Sequence, residues 1–172
     1  MRRTRRIIYD AFAAIAQEHN FLPDFPSVEA ATGVASMLIE HPGFYGVMAE
    51  DNGMIVGSVF IDLRSTIAGI GPITVDPSVQ NRGIGRQLMQ AAIAHANDHG
   101  HAGIRLVQTA YHNRSLCLYT RLGFMTREPL SVMQGPAIGM DFPGYEVRSA
   151  TKRRPSSLQC LKSAGSWFRA RQ

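Results

Sequence analysis

The residues best suited to chemistry are the glycines and arginines of Gln80-Asn81-Arg82-Gly83-Ile84-Gly85-Arg86, and the chemistry is anion binding. A short apolar strand ending at Val75 stops before Pro77, crosses a polar turn and enters a segment with helical apolar spacing. At a helix start the first backbone N–H groups lack intrahelical partners, and the macrodipole adds partial positive charge. Gly83 and Gly85 remove the Cβ atoms that would hold an anion off those amides, while Arg82 and Arg86 add formal charge beside them. The layout predicts a cradle for a phosphate or pyrophosphate. It is neither the G-x-G-x-x-G of dinucleotide folds nor a Walker-type loop, since no Gly-Lys-Ser/Thr follows.

Other reactive residue types form weaker patterns. His95 and His99 stand one helical turn apart, a spacing that binds metals, but no Cys or acid cluster accompanies them. With His101 they read as a solvated helix end, and no metal is expected. Cys117 and Cys160 have no metal-ligand or redox spacing; Cys117 reads as a small apolar filler.

The elements that must position the cradle follow from periodicity. Ile8, Phe12, Ile15 and Ala16 predict an amphipathic helix over about Arg5 to Asn20, and Pro23 and Pro26 interrupt the chain after it. Ser27 as N-cap starts a second helix running to about Glu40. Phe44 to Glu50 and Met54 to Leu63 read as strands joined through Asp51-Asn52-Gly53. A third strand spans Ile67 to Val75, with Gly69, Gly71 and Pro72 marking a bulge. A helix over Gln80 to His99, a strand over Ile104 to Gln108, and a helix from His112 through Leu122 follow, and Phe124 opens a last strand that Pro129 breaks and Val132-Met133 resume. The fold class is α/β (α+β): a mixed, mostly antiparallel sheet with helices on both faces.

Two motifs at this separation resemble the GNAT superfamily of acetyl-CoA-dependent N-acetyltransferases. The first is Gln80-x-x-Gly83-x-Gly85 with Val75 and Pro77 ahead and Leu88 behind; the second is Asn113-x5-Tyr119-x3-Gly123-Phe124. The resemblance covers about Arg5 to Val132 and implies acetyl-CoA as co-substrate. Carried over, Arg82, Gly83, Ile84, Gly85 and Arg86 hold the cofactor pyrophosphate, Gln80 of the same turn is a cofactor-binding residue, backbone from Ile73 through Thr74 to Val75 pairs with pantetheine, Asn113 contacts the cofactor arm, and Tyr119 is the candidate general acid near the thioester sulfur. A physical case supports that last role: transfer from a thioester to an amine puts negative charge on the carbonyl oxygen and then on the departing thiolate, and a phenol proton quenches the second. No carboxylate stands on the strand before the cradle, which leaves Asp62, Glu50 and His112 as base candidates by position, the alternatives being water as the base or an amine that arrives already neutral.

Family members usually begin with a strand of the type Ile-Arg-x-Ala, whereas this chain has Met1-Arg2-Arg3-Thr4 there, so the first strand is expected to be missing or replaced. Tyr145 to Thr151 looks like such a strand placed after the domain. The expected organisation is a GNAT-like domain over 1–144 and a basic tail over 145–172, the tail being either a last strand or the remnant start of a second GNAT-like domain. Residues 147–172 hold seven Lys or Arg and no acid, so the net charge of +5 conceals a mildly acidic body. Charge confined to a tail says little about a domain's substrate.

With 45% hydrophobic residues over 172 positions the chain suits one globular domain, and no run has the length of a membrane span. Neither basic end carries a nucleic-acid recognition module. The expectations are therefore an N-acetyltransferase, cytoplasmic, acting on a small-molecule or peptide amine acceptor by direct transfer in a ternary complex. No nucleic-acid or membrane partner is expected, and a homodimer is allowed for. The alternative is a non-catalytic acyl-CoA-binding regulatory module.

Overall fold

The segment Met54–Asp62 is apolar on both sides of its pleat, which predicts a strand covered on both faces. The computed structural model, which describes residues 2–131, 133 and 144, places it so. Val59 and Ile61 point into a core formed with Leu88, Met89, Ala92 and Ala96, while Phe60 points into a second core with Ile8, Ala31, Ala35 and Leu38. The chain divides into two units, Met1–Arg127 and Glu128–Gln172, and the elements below all belong to the first.

In chain order these are α1 (Arg2–Glu18), α2 (Val28–Glu40), β1 (Phe44–Asp51), β2 (Met54–Asp62), β3 (Ile67–Val75), a 3₁₀ turn (Pro77–Val79), α3 (Ile84–Asp98), β4 (Gly103–Arg105) and α4 (Asn113–Arg121). The sheet order is β1-β2-β3-β4, antiparallel except for the parallel β3–β4 pair. The α3–α4 crossover side and the α1–α2 side cover opposite faces, as expected for a mixed sheet. Ser27 caps α2, its side chain accepting from the Ala30 amide at 3.2 Å. Among the described residues no strand precedes α1, and β1 pairs only with β2.

Three local expectations are corrected. The cradle helix begins at Ile84, not Gln80, because Asp76 and Pro77 first form a 3₁₀ turn and Asn81 (φ 65°) and Gly83 (φ 84°) then take left-handed conformations that no helix accommodates. The strand expected from Phe124 has no ladder partner among the described residues. The Phe124 amide instead donates to Tyr119 O at 3.0 Å, closing α4 in a turn whose left-handed residue is Gly123 (φ 92°). Cys117 is exposed on α4 rather than a core filler, since the inward stripe of that helix is carried by Leu118, Tyr119 and Leu122. Val132 and the 145–172 segment lie outside the described residues.

Close approach of α3 to the sheet depends on Gly57 in β2. A Cβ there would stand 2.9 Å from Thr74 O and 3.1 Å from Leu88 Cδ1. Both values are tighter than packing allows, so glycine lets the helix settle on the strands that lead into the cradle.

Candidate active site

Gly71 sits in β3 at φ 146°, and the ladder to β2 shifts there: Val59 faces Ile73 and Ile61 faces Ile70, so Phe60 opposes both Gly71 and Pro72. The expected bulge is present, and it bends β3 just where its other neighbour is lost. β4 pairs with β3 only over Ile67–Gly69 against Gly103–Arg105. Beyond that point β4 ends and β3 continues to Val75 with no ladder partner on that side among the described residues.

The register assigns the free backbone groups. Asp76 N donates to Val56 O at 2.8 Å, which makes Gly57–Val75 a non-hydrogen-bonded pair and Ser58–Thr74 a hydrogen-bonded one. The N–H and C=O of Ile73 and Val75 therefore turn away from β2 toward the gap, whereas those of Thr74 turn into the ladder. The Thr74 side chain is also occupied, buried with its hydroxyl 3.2 Å from Ser58 Oγ. Of the three residues expected to offer backbone to a cofactor arm, Ile73 and Val75 are so placed. Thr74 is not, because a strand presents alternate peptide groups to each neighbour.

Gln80 also differs from expectation. Its Nε2 donates to Val75 O at 3.1 Å, folding the turn back on the strand end. Asp76 stiffens the same turn, its Oδ1 accepting from Ser78 N at 3.0 Å and Ser78 Oγ at 2.6 Å. The turn delivers the start of α3 with Gly83 as N-cap and no side-chain cap. The first helical hydrogen bond runs from Gln87 N to Gly83 O, so the amides of Ile84, Gly85 and Arg86 lie ahead of the ladder. There is no acid in this first turn, and Arg82 and Arg86 are exposed beside it. The Ile84 side chain packs against the core, which leaves its amide as the group it can offer. No protein atom lies within 4 Å of a Cβ built on Gly83.

Tyr119 is 8% exposed and belongs to the core cluster on the α3–α4 face. Burial raises its phenol above the ordinary 10.0, and a hydrogen bond with Ser115 partly opposes the rise. The phenol thus stays protonated through the neutral range. Side chains on a helix lean toward its N-terminus, so the Ser115 bond places the hydroxyl toward the first turn of α4.

Asn113 opens α4 and lines a cleft of ≈ 220 Å³ with Ile15, Glu18, His19, His112 and Arg114. Above it, the Tyr111 ring stacks on Phe21 at 4.3 Å and on His19 at 5.2 Å between centroids. These contacts tie the loop after α1 to the segment leading into α4. His112 is half-buried; desolvation lowers its pKa first, then the charges of Arg114 and His19, with Glu18 opposing. Among the base candidates Asp62 is disqualified: Arg64 grips it at 2.8 and 2.7 Å and holds its carboxyl at about 2. Glu50 is exposed on β1. His112 lines the cleft that Asn113 also lines.

His95 stacks on Tyr45 at 3.6 Å, His99 Nδ1 lies 2.8 Å from His95 O, and no group of three or more His, Cys, Asp or Glu among the described residues could hold a metal ion. No described helix is long and apolar enough to cross a membrane.

Comparison with known proteins bears on this arrangement. The profile described as the acetyltransferase (GNAT) family matches residues 7–124. A mycothiol acetyltransferase of Cellulomonas flavigena is 30% identical over 101 residues, 52% of this chain and 29% of the relative. The chain thus spans under a third of the length of that relative. Among solved structures, the ribosomal-protein-S18-alanine N-acetyltransferase of Escherichia coli superposes with a TM-score of 0.58 at 23% identity, covering 72% of this chain and 70% of its own. The AAC(6')-Iy structure in complex with a CoA-containing bisubstrate analogue gives 0.58 at 17% identity, covering 79% and 89%. At these identities the structural matches speak to the fold.

Proposed function

The chain belongs to the GNAT acetyltransferase family, and from that premise we propose that it transfers an acetyl group from acetyl-CoA to a primary amine by direct attack in a ternary complex. The observation that carries this reading is the end of the β3–β4 ladder after Gly69 and Arg105 beside an uncapped helix start. An extended arm attached to a pyrophosphate fits that arrangement: phosphates on the α3 amides, the arm along the free edge of β3. The donor set agrees, since the α3 start offers N–H groups and two arginines and no carboxylate. Acetyl-CoA supplies the activated acetyl group.

The chain's own residues divide the work. Gly83, Ile84, Gly85 and Arg86 bind the pyrophosphate through main-chain amides, with Arg82 and Arg86 adding charge. Gln80 shapes the turn by holding Val75 O, and Ile73 and Val75 orient the arm. Tyr119, kept protonated by burial, gives its proton to the departing sulfur. His112 accepts the proton released from the amine, its environment holding it neutral. Asn113 lines the same cleft, and Phe21, in the loop after α1, stacks on Tyr111, the neighbour of His112 in the chain.

The similar solved structures, an aminoglycoside N-acetyltransferase in complex with CoA and a ribosomal-protein-S18-alanine N-acetyltransferase, favour an amine acceptor. The deciding experiment incubates the full chain with acetyl-CoA and a panel of small-molecule and peptide amines, and follows free thiol and acetylated product. Thiol release that requires one amine class supports transfer. Tight acetyl-CoA binding with silence across the panel would replace catalysis by the binding-module reading.

A further inference from the structure

Past Arg105 the ladder to β3 ends, yet the alternation of β4 continues. Ile104 and Leu106 pack against the core cluster that contains Tyr119, while Arg105 is exposed and Val107 is 77% exposed. Gln108 is the next position in the inward row. Its Oε1 atom is shut off from solvent and has no hydrogen-bond partner among the described residues. Buried polar atoms are nearly always paired, and an orphan acceptor is costly to keep. The inward row otherwise reads Ile104 and Leu106, so an apolar residue would serve packing better than glutamine.

The orphan stands on the strand that leaves β3. On the opposite wall of the same gap, Ile73 and Val75 present main-chain groups that have no ladder partner on that side. One wall therefore carries the peptide groups of Ile73 and the Val75 N–H without a ladder partner, Val75 O being held by Gln80, and the other carries a buried amide oxygen. A ligand that fits between them is elongated and bears N–H donors along its length. A chain of secondary amides has that chemistry.

We propose that Gln108 is a cofactor-binding residue whose Oε1 accepts a hydrogen bond from an amide N–H of the pantetheine arm, lying between β3 and the segment 106–108. The inference rests on the acetyl-CoA reading above and adds to it a side-chain contact on the arm. It also explains why a polar residue occupies an inward position: the cost borne by the ligand-free protein is recovered when the arm supplies the donor.

The test compares the wild-type chain with Gln108→Met, which keeps length and removes the acceptor, and with Gln108→Leu. Two ligands are titrated calorimetrically: CoA, and adenosine 3',5'-bisphosphate, which has phosphates but no arm. The expected result is a ligand-free melting midpoint raised by about 3 °C, CoA binding weakened roughly fivefold, and adenosine bisphosphate binding unchanged. Unchanged CoA affinity in both variants overturns the proposal. So does a fall in melting midpoint with both ligands weakened alike, which would make Gln108 a structural residue. Wild-type protein that binds neither ligand would instead defeat the acetyl-CoA reading itself, so the two failures are told apart.

Discussion

At the scale of single residues, chemistry and packing compete for the same side chains. Tyr119 is a core residue by exposure and the acid candidate by position, and both are consistent because its hydroxyl reaches Ser115 while its ring fills the α3–α4 face. Tyr119→Phe should keep the fold and the affinity for acetyl-CoA, and lower kcat by about a hundredfold, the size typical of a lost general acid. Steady-state kinetics beside a binding titration checks the split; an unchanged kcat across pH removes the acid role. As the proposed base, His112 should set the other limb. Its depressed pKa means that acetylation should fall as pH drops through that value, and His112→Gln should flatten this acidic limb in a pH–rate profile. Legibility at this scale was uneven. The cradle glycines and Tyr119 stood out by spacing, whereas the engagement of Thr74 by Ser58 depended on strand register and that of Gln80 by Val75 on the path of the turn between them, and residue types encode neither.

At the scale of elements, the site is a strand, a turn and a helix start. Gly83 holds φ 84° with open space where a Cβ would be. Gly83→Ala should therefore cost about 1 kcal/mol of stability from backbone strain, and should weaken CoA binding roughly tenfold by crowding the anion. Urea unfolding and calorimetry report the two effects separately. Gly57 lies outside the cradle, yet α3 rests on it. Gly57→Ala should destabilise the protein by about 1–3 kcal/mol through overpacking against Thr74 O and Leu88, readable as a lower urea midpoint. Element types were largely legible because apolar periodicity marks helices and strands. The end of the β3–β4 ladder at Arg105 and the missing strand after Phe124 were not, since pairing is settled between strands rather than within them.

At the scale of the whole molecule, electrostatics couples fold to pH. His95 and His112 both have folded-state pKa values below the ordinary 6.5; at His95 the causes are burial, then His99, with Asp98 opposing and His101 adding to the fall. As pH falls below 6.5 the unfolded chain takes up these protons first, so stability is fully present above that value and declines below it. Asp62, held at about 2 by Arg64, adds a second decline once pH falls below its ordinary 3.8. Urea midpoints measured from pH 8 to 5 should fall, and His112→Gln should reduce the slope. A flat profile would contradict the burial of both imidazoles. The sequence by itself determined the glycine turn before α3, the order of helices and strands as far as α4 and the family, because these rest on residue types at fixed spacing along one segment. Tertiary structure alone decided which peptide groups turn away from β2 and that Gln108 carries a buried acceptor without a partner among the described residues, because both arise where segments distant in the chain meet. The Asp62–Arg64 pair is local, two residues apart, but depends on how the chain turns out of β2, which residue types do not record.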